Sequence, residues 1–240
     1  MILMLFLYLV SIVFVILTFH TQIAYTNLVF GKGEYHVANG FSESLDDGAK
    51  AISICCSWNK NLTLKSVSYS IINANDTLKN AIQKGMNEWS ENNAIRFVEV
   101  PNSNNPDIRI RYVYEASAST PHNSSNNEMA MQSGLMVGKT IDNFDGVGYI
   151  NHSSIVIYGS AFGSPLDYQT LQNVAAHEVG HALGLGHASF SSDLMFNKVS
   201  IVKERVSQCD IDGVLLANQW KYRYPMEDSS MQKSHNFTCY

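Results

Sequence analysis

The run His177-Glu178-Val179-Gly180-His181-Ala182-Leu183-Gly184-Leu185-Gly186-His187 has the residue types and spacing of a catalytic zinc site with its own general base. On a helix, residues four apart project from one face a turn apart, so His177 and His181 can offer their imidazoles to one ion. Glu178 follows the first ligand, which sets its carboxylate beside the metal rather than on it, where it can take a proton from a metal-bound water. Gly184 permits a left-handed or otherwise tight turn, through which His187 returns as a third ligand. Three nitrogen ligands leave a fourth position open, and an open position separates a catalytic zinc from a structural one. The chemistry implied is hydrolysis assisted by one catalytic Zn2+.

A bare H-E-x-x-H would arise by chance roughly once in a hundred chains of this composition, and adding Gly184 and His187 lowers that to about one in tens of thousands. Three core histidines satisfied by hydrogen bonds are the plainer alternative, and ligand spacing at all three positions weighs against it.

These residues need a helix and a turn to position them. The helix is expected to begin near Ser164 to Asp167, with Pro165 tolerated in its first turn, and to run through Leu171, Val174 and Ala175 to the ligands. Upstream, Ser68 to Asn73 alternates as a strand does, and Asp76 or Thr77 would cap an amphipathic helix through Leu78, Ala81, Ile82, Met86 and Trp89. Further strands are expected at Arg96 to Val100 and Asp107 to Val113, and Gly148 to Ile150, then Ser154 to Tyr158, suggest the last strand before the active-site helix. Val206 to Ala217 reads as a capped terminal helix.

After His187 the chain runs Ala188-Ser189-Phe190-Ser191-Ser192-Asp193-Leu194-Met195-Phe196. Here the sequence resembles the metzincin clan of zinc endopeptidases, whose third histidine is followed by a tight turn containing Met, and Met195 fits that turn. The pattern Leu-Gly-Leu-Gly-His, then Ser and Leu-Met, is most similar to the matrixin-like branch. The astacin-like and serralysin-like branches usually carry a Tyr two positions after that Met, where this chain has Asn197. The resemblance spans residues 57 to 222 and implies an α+β fold: a twisted mixed β-sheet with an active-site helix, a Met turn and a C-terminal helix. It also implies a substrate-binding edge strand, for which Ser154, Ile155, Val156, Ile157 and Tyr158 are the candidates; an extended peptide would add there through main-chain hydrogen bonds. Side-chain preference would come from pockets formed partly by Phe196 to Lys203. Physically, a polarizable Met under the site packs against the ligand imidazoles.

The chain also departs from that family. The His- and Asp-rich loop with which vertebrate matrixins bind a second zinc and several calcium ions has no counterpart. Ca2+ at Asp142, Asp145 and Asp167 is conceivable but unsupported, since they lack fixed loop spacing and read more simply as solvated carboxylates. The Cys-bearing propeptide motif is absent, which puts latency by a cysteine ligand in doubt.

At 240 residues the chain suits one domain, and a formal net charge of -5 without a basic cluster argues against nucleic-acid partners. Residues 1–24 read as an N-terminal apolar signal or membrane anchor, 25–54 as a short linker or pro-segment, 55–224 as the metallopeptidase domain and 225–240 as a loosely ordered polar tail. The first 19 residues lack Lys and Arg and are close to spanning length, which leaves an uncleaved membrane anchor and a cleaved signal both open. Either places the domain outside the cytoplasm, membrane-anchored or secreted, and sequons at Asn61, Asn75, Asn123, Asn151 and Asn236 agree weakly. The polar run Ser117 to Asn127 reads as a surface loop.

Four cysteines suit an oxidising compartment. Adjacent Cys55 and Cys56 rarely bond each other, so links from this pair to Cys209 and Cys239 are expected.

The expected function is that of an extracytoplasmic zinc endopeptidase acting on protein or peptide substrates, with Glu178 as base and His177, His181 and His187 as ligands. A catalytically inactive zinc-binding adhesion or scaffold domain is the alternative, and retention of Glu178 speaks against it. Oligomeric state is not legible.

Overall fold

The computed structural model describes residues 28–32, 50–62, 65–91, 95–101, 103–114, 135–146, 148–161, 164–198, 205–223 and 235–239. The apolar start, the loop at 117–127 and most of the tail after 224 lie outside these residues.

Eleven strands and three helices are present among them. In chain order they are β1 (Leu28–Lys32), β2 (Ala51–Ile54), β3 (Val67–Ile72), α1 (Asp76–Glu88), β4 (Phe97–Glu99), β5 (Ile108–Val113), β6 (Leu135–Phe144), β7 (Ile150–Tyr158), β8 (Ser160–Ala161), β9 (Ser164–Pro165), α2 (Tyr168–Ala182), β10 (Leu185–Ala188), α3 (Gln208–Arg223) and β11 (His235–Thr238). The main sheet runs β1-β6-β7-β5-β3-β4, with β6 and β7 antiparallel and its other pairs parallel. A second sheet, β10-β2-β11, is antiparallel. This is the expected α+β arrangement of mixed sheet, active-site helix, Met turn and C-terminal helix.

Helix α1 is capped by Asn75, whose Oδ1 accepts from Leu78 N at 3.0 Å. The cap therefore precedes the two candidates read from sequence. Helix α2 begins at Tyr168, with Asp167 accepting from Thr170 N at 2.8 Å; Pro165 belongs to β9 instead. From Thr170 to Ala182 every residue of α2 is buried, so this helix is clothed on all sides rather than amphipathic. One side meets α1 at Gly85, where an added Cβ would stand 2.9 Å from Ala176 N. Two buried indoles anchor it: Trp89 Nε1 donates to Ala176 O and Trp58 Nε1 to Ala182 O, both at 2.8 Å. Each satisfies a donor that would otherwise be buried unpaired, at a cost of about 1–3 kcal/mol.

Three expectations are corrected. Ser154 to Tyr158 is no edge strand: β7 lies between β5 and β6, and its backbone pairs on both sides. The antiparallel neighbour β6 was missed, and β1 lies parallel along its outer side. The end of the tail is not loose either, because His235–Thr238 adds to β2 as β11. The disulfides are Cys55–Cys56 and Cys209–Cys239. Register is the reason: Thr238 stands opposite Ala51 and Cys239 N donates to Lys50 O, so Cys239 sits at the start of β2. Cys55 lies beyond its far end, about 16 Å away at the rise of a strand.

Candidate metal centre

His177 and His181 lie in the last turns of α2 and are fully buried, while His187, in β10, is partly exposed. One ring nitrogen of each comes within 4.8 Å of the others. The turn between them depends on Gly184, whose φ of +106° is one that L side chains rarely adopt. Its N–H donates to His181 O at 2.9 Å, and its carbonyl accepts from Cys55 N at 2.8 Å and Cys56 N at 3.3 Å. The antiparallel pairing of β10 with β2, Leu185 opposite Ile54 and Ala188 opposite Ile52, then sets the strand that carries His187.

The tautomers follow from the partners. His177 Nδ1 lies 2.6 Å from Leu194 O, and His181 Nδ1 lies 2.9 Å from Leu185 O. A carbonyl only accepts, so both Nδ1 atoms carry hydrogen and each neutral ring has a lone pair on Nε2. Burial holds the His177 pKa well below the ordinary value, which favours that neutral form. The two Nε2 atoms face each other at 3.0 Å. Two lone pairs at that distance repel unless a cation lies between them, and the ligand-to-ligand edge of a tetrahedral zinc site is about 3.3 Å. The donor set therefore fits a zinc ion, held by His177, His181 and His187.

Met195 is fully buried in the turn after β10. Its carbonyl accepts from Ala188 N and its N–H donates to Asp193 Oδ1, each at 2.8 Å. A Cβ on Gly180 would overlap the Met195 sulfur and stand 2.8 Å from Trp89 Cζ2, so Gly180 gives Met195 its room under the ligand helix. The same turn presents Leu194 O to His177.

Glu178 is fully buried beside the first ligand. Its Oε2 lies 2.5 Å from the Thr140 hydroxyl, and its Oε1 has no hydrogen-bond partner. Burial pushes its carboxyl up to about 8; the Thr140 bond opposes this and the charge of Asp142 adds to it. Gly138 makes the approach possible, since a Cβ there would come within 2.7 Å of Glu178 Cγ. Both contacts come from β6, the strand missed in sequence. The β-branched residues Val137, Thr140 and Ile141 were the available signal.

A carboxyl pair supports the Met turn from behind. Asp210, at the start of α3, accepts from Ser207 N at 2.7 Å, and the Ser207 hydroxyl donates to Asp193 Oδ2 at 3.4 Å. Burial first, then the charge of Asp193, pushes Asp210 up to about 8. The three aspartates considered for calcium serve local structure: Asp167 caps α2, Asp142 accepts from Ser153 Oγ at 2.8 Å, and Asp145 accepts from Tyr149 N at 2.9 Å. They are not a ligand cluster among the described residues. Of the segment expected to shape side-chain pockets, residues 199–203 lie outside the described ones.

Three histidines converge beside a buried carboxylate, and that donor set fits zinc. The family model for matrixin matches residues 57–217, and the chain belongs to the matrixin family, a family of metalloendopeptidases. It is 30% identical over 182 residues to karilysin of Tannerella forsythia, a match covering 72% of this chain and 34% of that protein. It is 28% identical over 174 residues to human matrix metalloproteinase-27, covering 65% of this chain and 29% of the relative. Metalloendoproteinase 1 of Glycine max is 28% identical over 143 residues, covering 58% and 45%. The chain thus spans about a quarter to under a half of the relatives it matches.

Proposed function

We propose that this chain is an active zinc endopeptidase that hydrolyses peptide bonds in proteins outside the cytoplasm. The observation that carries the activity is the buried Glu178 carboxylate beside a converging histidine triad. A zinc ion held by His177, His181 and His187 would supply a Lewis acid and would lower the pKa of a bound water to about 7. The charge of a zinc ion beside it would oppose the burial that raises the Glu178 carboxyl, and the ionised Glu178 takes the proton of the attacking water and returns it to the departing amine, acting as base and then acid. Thr140 aims the carboxylate, and the Leu194 and Leu185 carbonyls hold the imidazoles in their ligating tautomer. An extended peptide would add along the outer side of β6, which β1 now takes, so displacement of β1 precedes binding.

Location rests on the apolar first 19 residues and on the two disulfides, which suit an oxidising compartment. The domain should be reached by external protease in intact cells if anchored, or recovered from the medium if the segment is cleaved. An intact chain in the soluble cytoplasm with reduced cysteines would refute that location.

Activity is tested by peptide release from casein, with the full-length chain and with one lacking the residues before Lys50. The zinc-loaded protein should release peptides, a chelator should stop it, and Glu178→Ala should keep zinc and lose hydrolysis. Near-normal turnover by Glu178→Ala would remove the assigned base. A fully zinc-loaded wild type inert in both forms would favour the scaffold reading.

A further inference from the structure

Among the described residues, one other cluster has metal-ligand geometry: Cys55, Cys56 and Asp142, whose candidate atoms lie within 4.8 Å of one another. The two cysteines are joined as a disulfide of sequence neighbours. Cys56 is buried, with its Sγ 3.9 Å from Asp142 Oδ2, while Cys55 is partly exposed. Asp142 is held in place from its other oxygen, Oδ1, by the Ser153 hydroxyl at 2.8 Å. The sulfur-to-oxygen edge of a tetrahedral site with thiolate and carboxylate ligands is about 3.6 Å, so this carboxylate already stands at ligand distance from the cluster.

We propose that the Cys55–Cys56 bridge is a reducible gate over a second metal site, at which the freed thiolates of Cys55 and Cys56, with Asp142, bind one thiophilic divalent cation such as Zn2+ or Cd2+. Opening takes two electrons from a thiol or phosphine reductant, together with two protons. A dithiol becomes its disulfide; a phosphine becomes its oxide, with water supplying the oxygen and both protons. Metal binding then releases the two thiol protons. Rotation about the Cα–Cβ bonds has to separate the sulfurs to about 3.7 Å, the thiolate-to-thiolate edge around zinc. Because Cys55 N and Cys56 N both donate to Gly184 O, the new site lies behind the turn that brings His187 to the first one. Adjacent thiols sharing one ion with a carboxylate differ from the histidine centre in ligand softness, so Cd2+ distinguishes them.

The test uses the full chain, first loaded with Zn2+, with and without treatment by a phosphine reductant. Free thiols are mapped by alkylation and mass spectrometry, and Cd2+ is then titrated while the thiolate-to-cadmium charge-transfer absorbance is followed. The reduced protein should take up one Cd2+ with this absorbance per chain and the untreated protein none. Asp142→Asn should weaken uptake at least tenfold, and the double change Cys55→Ser with Cys56→Ser should abolish it. The double change Cys209→Ser with Cys239→Ser should retain it. The proposal is overturned if Cys55 and Cys56 map as free thiols yet no cadmium–thiolate absorbance develops, or if they resist the reductant while Cys209–Cys239 opens. Uptake unchanged in Asp142→Asn would remove the carboxylate from the site. Since the readout is metal binding and not proteolysis, failure here leaves the proposed peptidase activity standing.

Discussion

Gly184→Ala tests whether one backbone conformation controls the third ligand. At φ of +106° an alanine is strained by about 1–3 kcal/mol. Its Cβ would also overlap the carbonyl oxygen of Cys56, with the carbonyl carbon at 3.2 Å. That neighbour is backbone, tied back by the donations of Cys55 N and Cys56 N to Gly184 O, so relief means parting the turn from the end of β2. Loosening those two bonds costs about 1 kcal/mol each. The total is about 3–5 kcal/mol, which for a domain of this size lowers Tm by roughly 10 °C. His187 lies three residues on, so zinc should be surrendered to a chelator at concentrations that leave the wild type loaded. Gly146→Ala is the control, because its Cβ meets nothing within 4 Å and it should cost under about 0.5 kcal/mol. The two measurements are calorimetric Tm of the zinc-loaded proteins and metal content after graded chelation. If Gly184→Ala matched Gly146→Ala in both, the turn would not constrain the site.

Two further predictions concern protons. Thr140→Val removes the hydroxyl that lowers the Glu178 pKa, so the acid limb of kcat/KM should move to higher pH, by up to about one unit or 1.4 kcal/mol, and Thr140→Ser should restore it. An unmoved limb would mean that Thr140 does not tune the base. Asp210 has a folded-state pKa raised from 3.8 to about 8, so the native state binds its proton more tightly than the unfolded chain. The stability associated with that proton is fully present below about pH 4 and is lost as pH rises toward 8. Asp210→Asn cannot ionise, and its Tm should fall less than that of the wild type between pH 5 and 8, the gap changing by the equivalent of about 1–3 kcal/mol. Parallel Tm curves would contradict the protonated pair beneath the Met turn.

The sequence by itself determined which residues form the candidate centre, because its parts are local: two histidines and a glutamate on one helix, a glycine turn, a third histidine and a Met turn within twenty residues. Helical periodicity and short-range turn rules suffice at that scale. Helix α1 and strands β3, β4 and β5 were legible for the same reason, with errors of only a residue or two at their ends. Only the tertiary structure decided what reaches the centre from elsewhere. Thr140 and Gly138 meet Glu178 across a sequence gap of about forty residues, and Cys55 and Cys56 grip Gly184 across more than a hundred. Strand order made β7 interior and left β6 beside the base, and alternation along a strand carries no information about its neighbours. The disulfides were misread because pairing depends on the register of β11 against β2, two segments some 180 residues apart. Local periodicity can specify a helix and its ligands, but the partners that orient the base and hold the third histidine come from long-range packing.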